Sequence, residues 1–304
     1  MAAHSTARTA GLILLGGRSS RMGYHKHRMR LPGGTLLEIA LRHMAAVAGP
    51  IALSVAASGG DLPHLPAGLP VEVLTVPDAA PELGPLQGLA SGFAALAPLA
   101  DQVVVMPVDM PFFDAAALRA LIGGLAGHRV CLYRYQGYVN ALVGAYRLDL
   151  LPKLERLLAE DRRRPVFIYE GEPTRILEAA DAGGAGAGDP LSDMDTPEAY
   201  RAALLHLGVG TPGAPGVLVR PRWNPPPREG GEGLAALHAA TAGEALHALR
   251  QLYPEMEAAG AGLAGLTREG ADTGVVLDGS TPLQEGDRLL GVPRGHMPPN
   301  PGPG

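Results

Sequence analysis

One cysteine stands in 304 residues, Cys131. Its solitude excludes an internal disulfide, a cysteine-built zinc site and a CxxC redox pair. Inside VCLYRY the thiol is expected to pack in a strand rather than to react. Aromatic residues are scarce, 4% against a hydrophobic fraction of 46%, so alanine, leucine, valine and glycine must build the core. No run of eighteen apolar residues occurs, which leaves no candidate membrane-spanning helix. The opening MAAHSTARTA carries no apolar stretch of signal-peptide type, so export is not expected and the cytoplasm is the default compartment. Positive charge is not in excess either. Lys and Arg number 25 against 30 Asp and Glu, a net charge of −5, and no basic field invites nucleic acid or a membrane surface.

What is present is concentrated in residues 11–26, GLILLGGRSSRMGYHK. The apolar run Leu12-Ile13-Leu14-Leu15 reads as a buried strand of a parallel sheet. It stops at Gly16-Gly17 and gives way to a loop with Arg18, Ser19, Ser20, Arg21, Gly23 and Lys26. Glycines let backbone amides approach a phosphate closely, and clustered cations offset polyphosphate charge. The loop fits neither G-x-x-x-x-G-K-[ST] nor G-x-G-x-x-G.

Beyond the loop, helical spacing covers 35–47, with Thr35 as cap and Glu38 three residues on. Strands are predicted at 51–57, 71–76 and 103–106, and helices at 86–96, opening at Gly84-Pro85, and at 114–125. Strand and helix in alternation predict an α/β fold with a doubly wound, mostly parallel (Rossmann-like) sheet. The later segments VCLYRY, ALVGAYR and TRILEA are expected to include antiparallel strands. A helix at 196–207 closes a first domain of residues 1–207. Residues 208–215, rich in Pro and Gly, read as a linker. Residues 216–293 read as a small α+β domain: a strand at 216–223, a helix at 241–252, and short strands around VVLDG and RLLGV. The tail 294–304 has too little apolar content to order itself.

In doubly wound sheets the ligand lies at the carboxyl ends of the strands. Three features fall there: the glycine loop, Asp109 in PVDMP, and Asp193-Met194-Asp195 ahead of the last helix of the first domain. The glycine loop resembles the GG-x-S-x-RMG-x-x-K signature of nucleotidyltransferases. Attack by an anion on the α-phosphorus of a triphosphate, as that resemblance implies, is electrostatically opposed, so Mg²⁺ is the expected cofactor, with Asp109 as main ligand and Asp195 as second. Asp195 has an equally good reading as a cap for the helix opening at Pro197. Lys26 would neutralise the α-phosphate and the incoming phosphate, and Arg21 would hold the departing pyrophosphate. A phosphate nucleophile is already ionised and needs no general base, so His4, His25 and His27 read as surface residues; Arg28 and Arg30 read as solvated. Asp78, after another strand, is placed to accept hydrogen bonds from guanine or a ribose, or to start a turn. Gly84 to Gly88, GPLQG, would bring helix N-terminal amides toward phosphates.

These motifs together resemble the molybdenum cofactor guanylyltransferases over residues 10 to 207: LLGGRSSRMGYHK, the acid of VPD, GPLQG, VDMP and DMDTPEAY. The resemblance implies transfer of GMP from GTP to the terminal phosphate of molybdopterin or Mo-molybdopterin. Other molybdenum cofactor biosynthesis proteins are the implied partners. It implies nucleotide contacts at Leu14, Leu15, Gly16, Gly17, Ser19, Lys26, Asp78, Gly84 and Asp109. The catalytic residues it implies are Lys26, Arg21 and Asp109. Where the family has asparagines before the last helix this chain has Asp193 and Asp195, as cytidylyltransferase relatives often do. Near residue 54, where asparagine is frequent, Ser54 stands, and Asn140-Ala141-Leu142 replaces a Q-P-L sequence. A cytidylyl- or adenylyltransferase, or a non-catalytic cofactor carrier or scaffold, are the competing readings. The C-terminal domain resembles the ubiquitin-like (β-grasp) sulfur-carrier subunit of molybdopterin synthase through TAGEALHALRQLYPEM and LDGSTPLQEGDRLLGVP. It ends RGHMPPNPGPG, without the terminal Gly-Gly that a thiocarboxylate carrier needs.

Overall fold

Short runs of Val, Ile and Leu flanked by glycine, proline or acids determine most of the secondary structure. A computed structural model describes residues 7–15, 25–55, 65–66, 68–78, 84–182, 189–221, 235–259, 262–269 and 276–294. The elements, in chain order, are β1 (Thr9–Leu14), β2 (Arg30–Leu31), β3 (Gly34–Thr35), α1 (Leu36–Ala45), β4 (Ile51–Val55), β5 (Val73–Pro77), α2 (Pro85–Leu96), β6 (Gln102–Pro107) and α3 (Ala115–Gly124). They continue with β7 (Val130–Tyr135), β8 (Tyr138–Arg147), α4 (Leu151–Ala159), β9 (Thr174–Glu178), α5 (Pro197–His206), β10 (Gly216–Arg220) and β11 (Ala235–His238). The last are α6 (Ala242–Leu252), α7 (Pro254–Ala258), β12 (Leu263–Arg268) and β13 (Arg288–Pro293). The chain divides into two compact units, one drawn from 1–18 and 37–193, the other from 19–36 and 194–304.

The first unit holds a seven-stranded sheet in the order β5-β4-β1-β6-β8-β7-β9. All pairings are parallel except the two made by β8. Of the three late segments, only ALVGAYR therefore runs antiparallel. The β7–β8 turn explains why: Gln136 and Gly137 both take positive φ, 48° and 82°, as in the two-residue turns that suit a twisted hairpin. Leu12, Ile13, Val103 and Val105 are fully buried, and Leu86, Leu89 and Phe93 of α2 pack in the same core. Gly92 lets that helix lie close, since a Cβ there would sit 2.5 Å from Leu12 Cδ1. Cys131 is buried in β7, as its sequence context predicts.

In the second unit, β2 and β3 form a minimal antiparallel pair, Arg30 opposite Thr35. Thr35, expected as a helix cap, ends β3 and is buried, and α1 begins at the next residue. A second sheet has the order β11-β10-β13-β12, with β10 and β13 parallel and the outer pairs antiparallel. Thr241 caps α6 by accepting from Glu244 N at 3.3 Å, and α6 buries Ala245, Ala248, Leu249 and Leu252. The expected strand at VVLDG is not formed among its described residues, 276–279. β13 pairs instead with β12, and Leu277 contributes one backbone bond, to Leu266 O at 2.7 Å. Residues 208–215 turn at Gly208, Gly210 and Gly213, all with positive φ. They are tied to β11, Thr211 N donating to His238 O at 2.8 Å.

Candidate active site

β1 lies between β4 and β6, and the chain goes first to one side of it and later returns on the other. Such a reversal opens a crevice at the carboxyl ends of the two strands. Leu14 is in register with Pro107, and Val108 N donates to Leu14 O at 3.1 Å. Asp109 is thus the second residue past the β6 position that faces the end of β1. It is 9% exposed, unusually deep for a carboxylate. From Leu15 the chain enters residues 16–24, so the predicted Gly16, Gly17, Ser19 and Arg21 lie outside the described residues. Leu14 is buried, and Leu15 N donates to Ser54 O at 3.0 Å on the other flank.

On that flank β4 and β5 bring two polar side chains together. Ser54, 2% exposed, donates from Oγ to Asp78 Oδ1 at 3.1 Å. Asp78 N bonds Val55 O at 2.8 Å, which fixes the acid at the strand end. Burial pushes the Asp78 carboxyl above the usual carboxylate range, and the Ser54 hydroxyl opposes that shift. Gly88 is the unforeseen third member. A Cβ on it would lie 2.6 Å from Ser54 Oγ and 3.5 Å from Asp78 Oδ1, so only glycine lets α2 lie against the pair. Gly84 begins that helix at φ 76°, ψ −175°, with Pro85 in the first turn, a backbone that L residues rarely adopt. The helix opening predicted at Gly84-Pro85 is therefore found.

Among the described residues, Lys26 and Arg30 fall in the second unit. Lys26 starts a 3₁₀ turn, Lys26–Arg28, in which Met29 N bonds Lys26 O at 2.9 Å. Its ammonium, with 19% of the side chain exposed, pairs with the Asp195 carboxylate. Asp195 is not the helix cap. Thr196 accepts from Ala199 N at 3.2 Å and holds that place. Two histidine and arginine expectations also change. His27 is buried rather than superficial, because the 3₁₀ turn directs it inward, its ring 5.5 Å from that of His25. Arg30 is not solvated: 11% of its side chain is exposed, and its guanidinium is 2.8 Å from Glu255. His4 lies outside the described residues.

A divalent metal at this site would draw on these groups. Among the described residues no three His, Cys, Asp or Glu gather into a metal-holding group. A buried hard oxygen donor is nevertheless present in Asp109. Mg²⁺ commonly takes one or two carboxylates and fills its remaining positions with water and phosphate oxygens. Asp109 fits that donor set. Asp195 does so while already serving as counter-ion to Lys26.

A mostly parallel α/β sheet, broken by one antiparallel strand, with acids after β5 and β6, is the frame of a nucleotidyltransferase. Residues 11–174 match the MobA-like NTP transferase domain, and the chain belongs to that family. It is 29% identical over 199 residues to the molybdenum cofactor guanylyltransferase of Sinorhizobium fredii (strain NBRC 101917 / NGR234), covering 64% of this chain and 89% of that protein. It is 33% identical over 187 residues to the probable molybdenum cofactor guanylyltransferase of Mycobacterium tuberculosis (strain CDC 1551 / Oshkosh), covering 58% and 87%. The crystal structure of Rv0371c from Mycobacterium tuberculosis H37Rv shares the fold, with a TM-score of 0.51 at 22% identity over 66% of this chain and 99% of that one. The protein is an enzyme of the nucleotidyltransferase class. Among the described residues no helix is long and apolar enough to cross a membrane.

Proposed function

We propose that the enzyme transfers GMP from GTP to the terminal phosphate of molybdopterin or its molybdenum-loaded form. An oxygen of the acceptor phosphate attacks the α-phosphorus. The new P–O bond forms as the α–β bridge breaks, and the bridging electrons leave with pyrophosphate. No proton need be removed from an acceptor already ionised. The observation that carries this reading is the pairing of β1 with β6, which sets buried Asp109 beside the strand that runs into the glycine loop. Relatives named molybdenum cofactor guanylyltransferase support the donor and acceptor.

Lys26 is assigned to the α-phosphate and the incoming phosphate, and Arg21 to the departing pyrophosphate. Gly16, Gly17, Ser19 and the first turn of α2 at Gly84 are assigned to the phosphates through backbone amides. Asp78, oriented by Ser54, is assigned to the guanine edge as an acceptor. Asp109 would hold Mg²⁺, with Asp195 as second candidate. The ion would offset the charge of the triphosphate. The domain reading is a catalytic part at 1–207, a linker at 208–215 and an accessory β-grasp domain at 216–293. It is supported by a hairpin, helix and two further strands in the order β11-β10-β13-β12. A cytoplasmic setting agrees with the single buried thiol. Asp193 and Asp195, where asparagines are expected, favour cytidylyl transfer as the second reading. Pyrophosphate release with GTP or CTP, molybdopterin and Mg²⁺ tests both: turnover with GTP alone supports guanylyl transfer, and turnover with CTP alone overturns it.

A further inference from the structure

Arg30 makes contacts well beyond its own two-residue strand. Its Nε donates to Leu252 O at 3.0 Å, its terminal nitrogen lies 2.8 Å from Glu255 Oε1, and its guanidinium stacks 4.9 Å from the centre of the Tyr253 ring. Its carbonyl accepts from Tyr200 Oη at 2.5 Å. The Leu252 carbonyl is among the last four of α6, which have no partner inside their own helix, and a cation is favoured at that end. Arg30 thus closes the end of α6 as it anchors the segment 25–36. The 3₁₀ turn Lys26–Arg28, closed by Met29 N donating to Lys26 O at 2.9 Å, and the buried Met29 connect this anchor to Lys26. On the far side Asp195, the counter-ion of Lys26, adjoins α5, whose Tyr200 holds Arg30. All these residues belong to the second unit. Leu252, Tyr253 and Glu255 lie far beyond residue 174, where the family match ends.

We propose that Arg30 is a positioning residue for Lys26, and that the stretch from Leu252 at the end of α6 to Glu255 in α7 is a latch that sets the turnover of the transferase. Arg30 touches no reacting atom; it fixes the backbone from which Lys26 reaches its phosphate. The inference rests on the transfer reaction proposed above for Lys26, but its structural half does not.

Full-length Arg30→Ala, Arg30→Lys, Glu255→Gln and their combinations with Lys26→Ala test it. Arg30→Ala lowers kcat about tenfold with little change in the KM for GTP, and Arg30→Lys restores part of the loss. On a Lys26→Ala background Arg30→Ala costs nothing further, because the group it positions is gone. Equal losses on both backgrounds, or native turnover in Arg30→Ala, overturn the proposal. Glu255→Gln, at a half-exposed side chain, carries the same cycle if Arg30→Ala does not fold. Hydrogen exchange across residues 25–36 supplies a readout without nucleotide. It quickens about tenfold in Glu255→Gln while β10 and β13 stay protected. Should the native enzyme not turn over GTP, the guanylyl reading fails alone, and unchanged exchange in that segment then overturns the latch.

Discussion

The carboxyl edge of the large sheet and the segment 25–36 solve one problem, holding a charge still, by opposite means. The acids of the sheet edge are placed by strand register, with Ser54 also donating to Asp78. Asp78 hangs from a strand whose amide bonds its neighbour, and Asp109 follows a β6 position in register with β1. The cations of the other region are fixed by partners, Lys26 by Asp195 and Arg30 by Leu252, Tyr253 and Glu255. A charge set by strand register tolerates change in its surroundings but not in itself. A charge set by pairing can be disturbed from a distance.

The comparison is sharpest at Asp109. Asp109→Ala should lower pyrophosphate release about 10³-fold, because it removes the buried carboxylate proposed as the main Mg²⁺ ligand. Near-native rates in that variant would remove the sheet edge from the chemistry. Lys26→Ala should cost about 10²-fold, as loss of one preorganised charge does. Asp78→Ala should narrow the preference for GTP over CTP about tenfold, read from the ratio of kcat/KM values. In stability the acid behaves differently. Burial raises the Asp78 pKa in the folded state, so its contribution is most favourable below the unfolded value of about 3.9 and is lost as pH rises through the folded value. Asp78→Asn should therefore raise Tm by a degree or two near pH 7, and by nothing near pH 3, in thermal melts at the two pH values. The smallest effect is expected at Cys131, whose thiol burial pushes up to about 11. Mass spectrometry after iodoacetamide at pH 8 should find it unmodified until the protein unfolds.

Features that depend on nearest neighbours were legible in the sequence. β1 and β6 announce themselves as apolar runs ending in Gly16-Gly17 and Asp109, and Gly84-Pro85 as a helix opening. Features selected by distant partners were not. Ala235–His238 has no strand pattern of its own and is drawn into β11 by pairing with β10. VVLDG has the better strand composition, yet Leu263–Arg268 takes the place beside β13. Arg30 looked like a solvated loop residue because its acceptor stands 222 positions away. Gly88 was visible within GPLQG, but the reason for it, the closeness of Ser54 Oγ, exists only in three dimensions.

The second unit joins two stretches far apart in the sequence, 19–36 and 194–304. During synthesis, the strand and helices of the family domain leave the ribosome long before α6 does. The Arg30 side chain must wait for an acceptor more than two hundred residues downstream, a closure that is slow in proportion to its span. A shortened polypeptide ending after α5 would keep Asp195 for Lys26 and Tyr200 for the Arg30 carbonyl, yet leave the Arg30 guanidinium without Leu252, Tyr253 and Glu255.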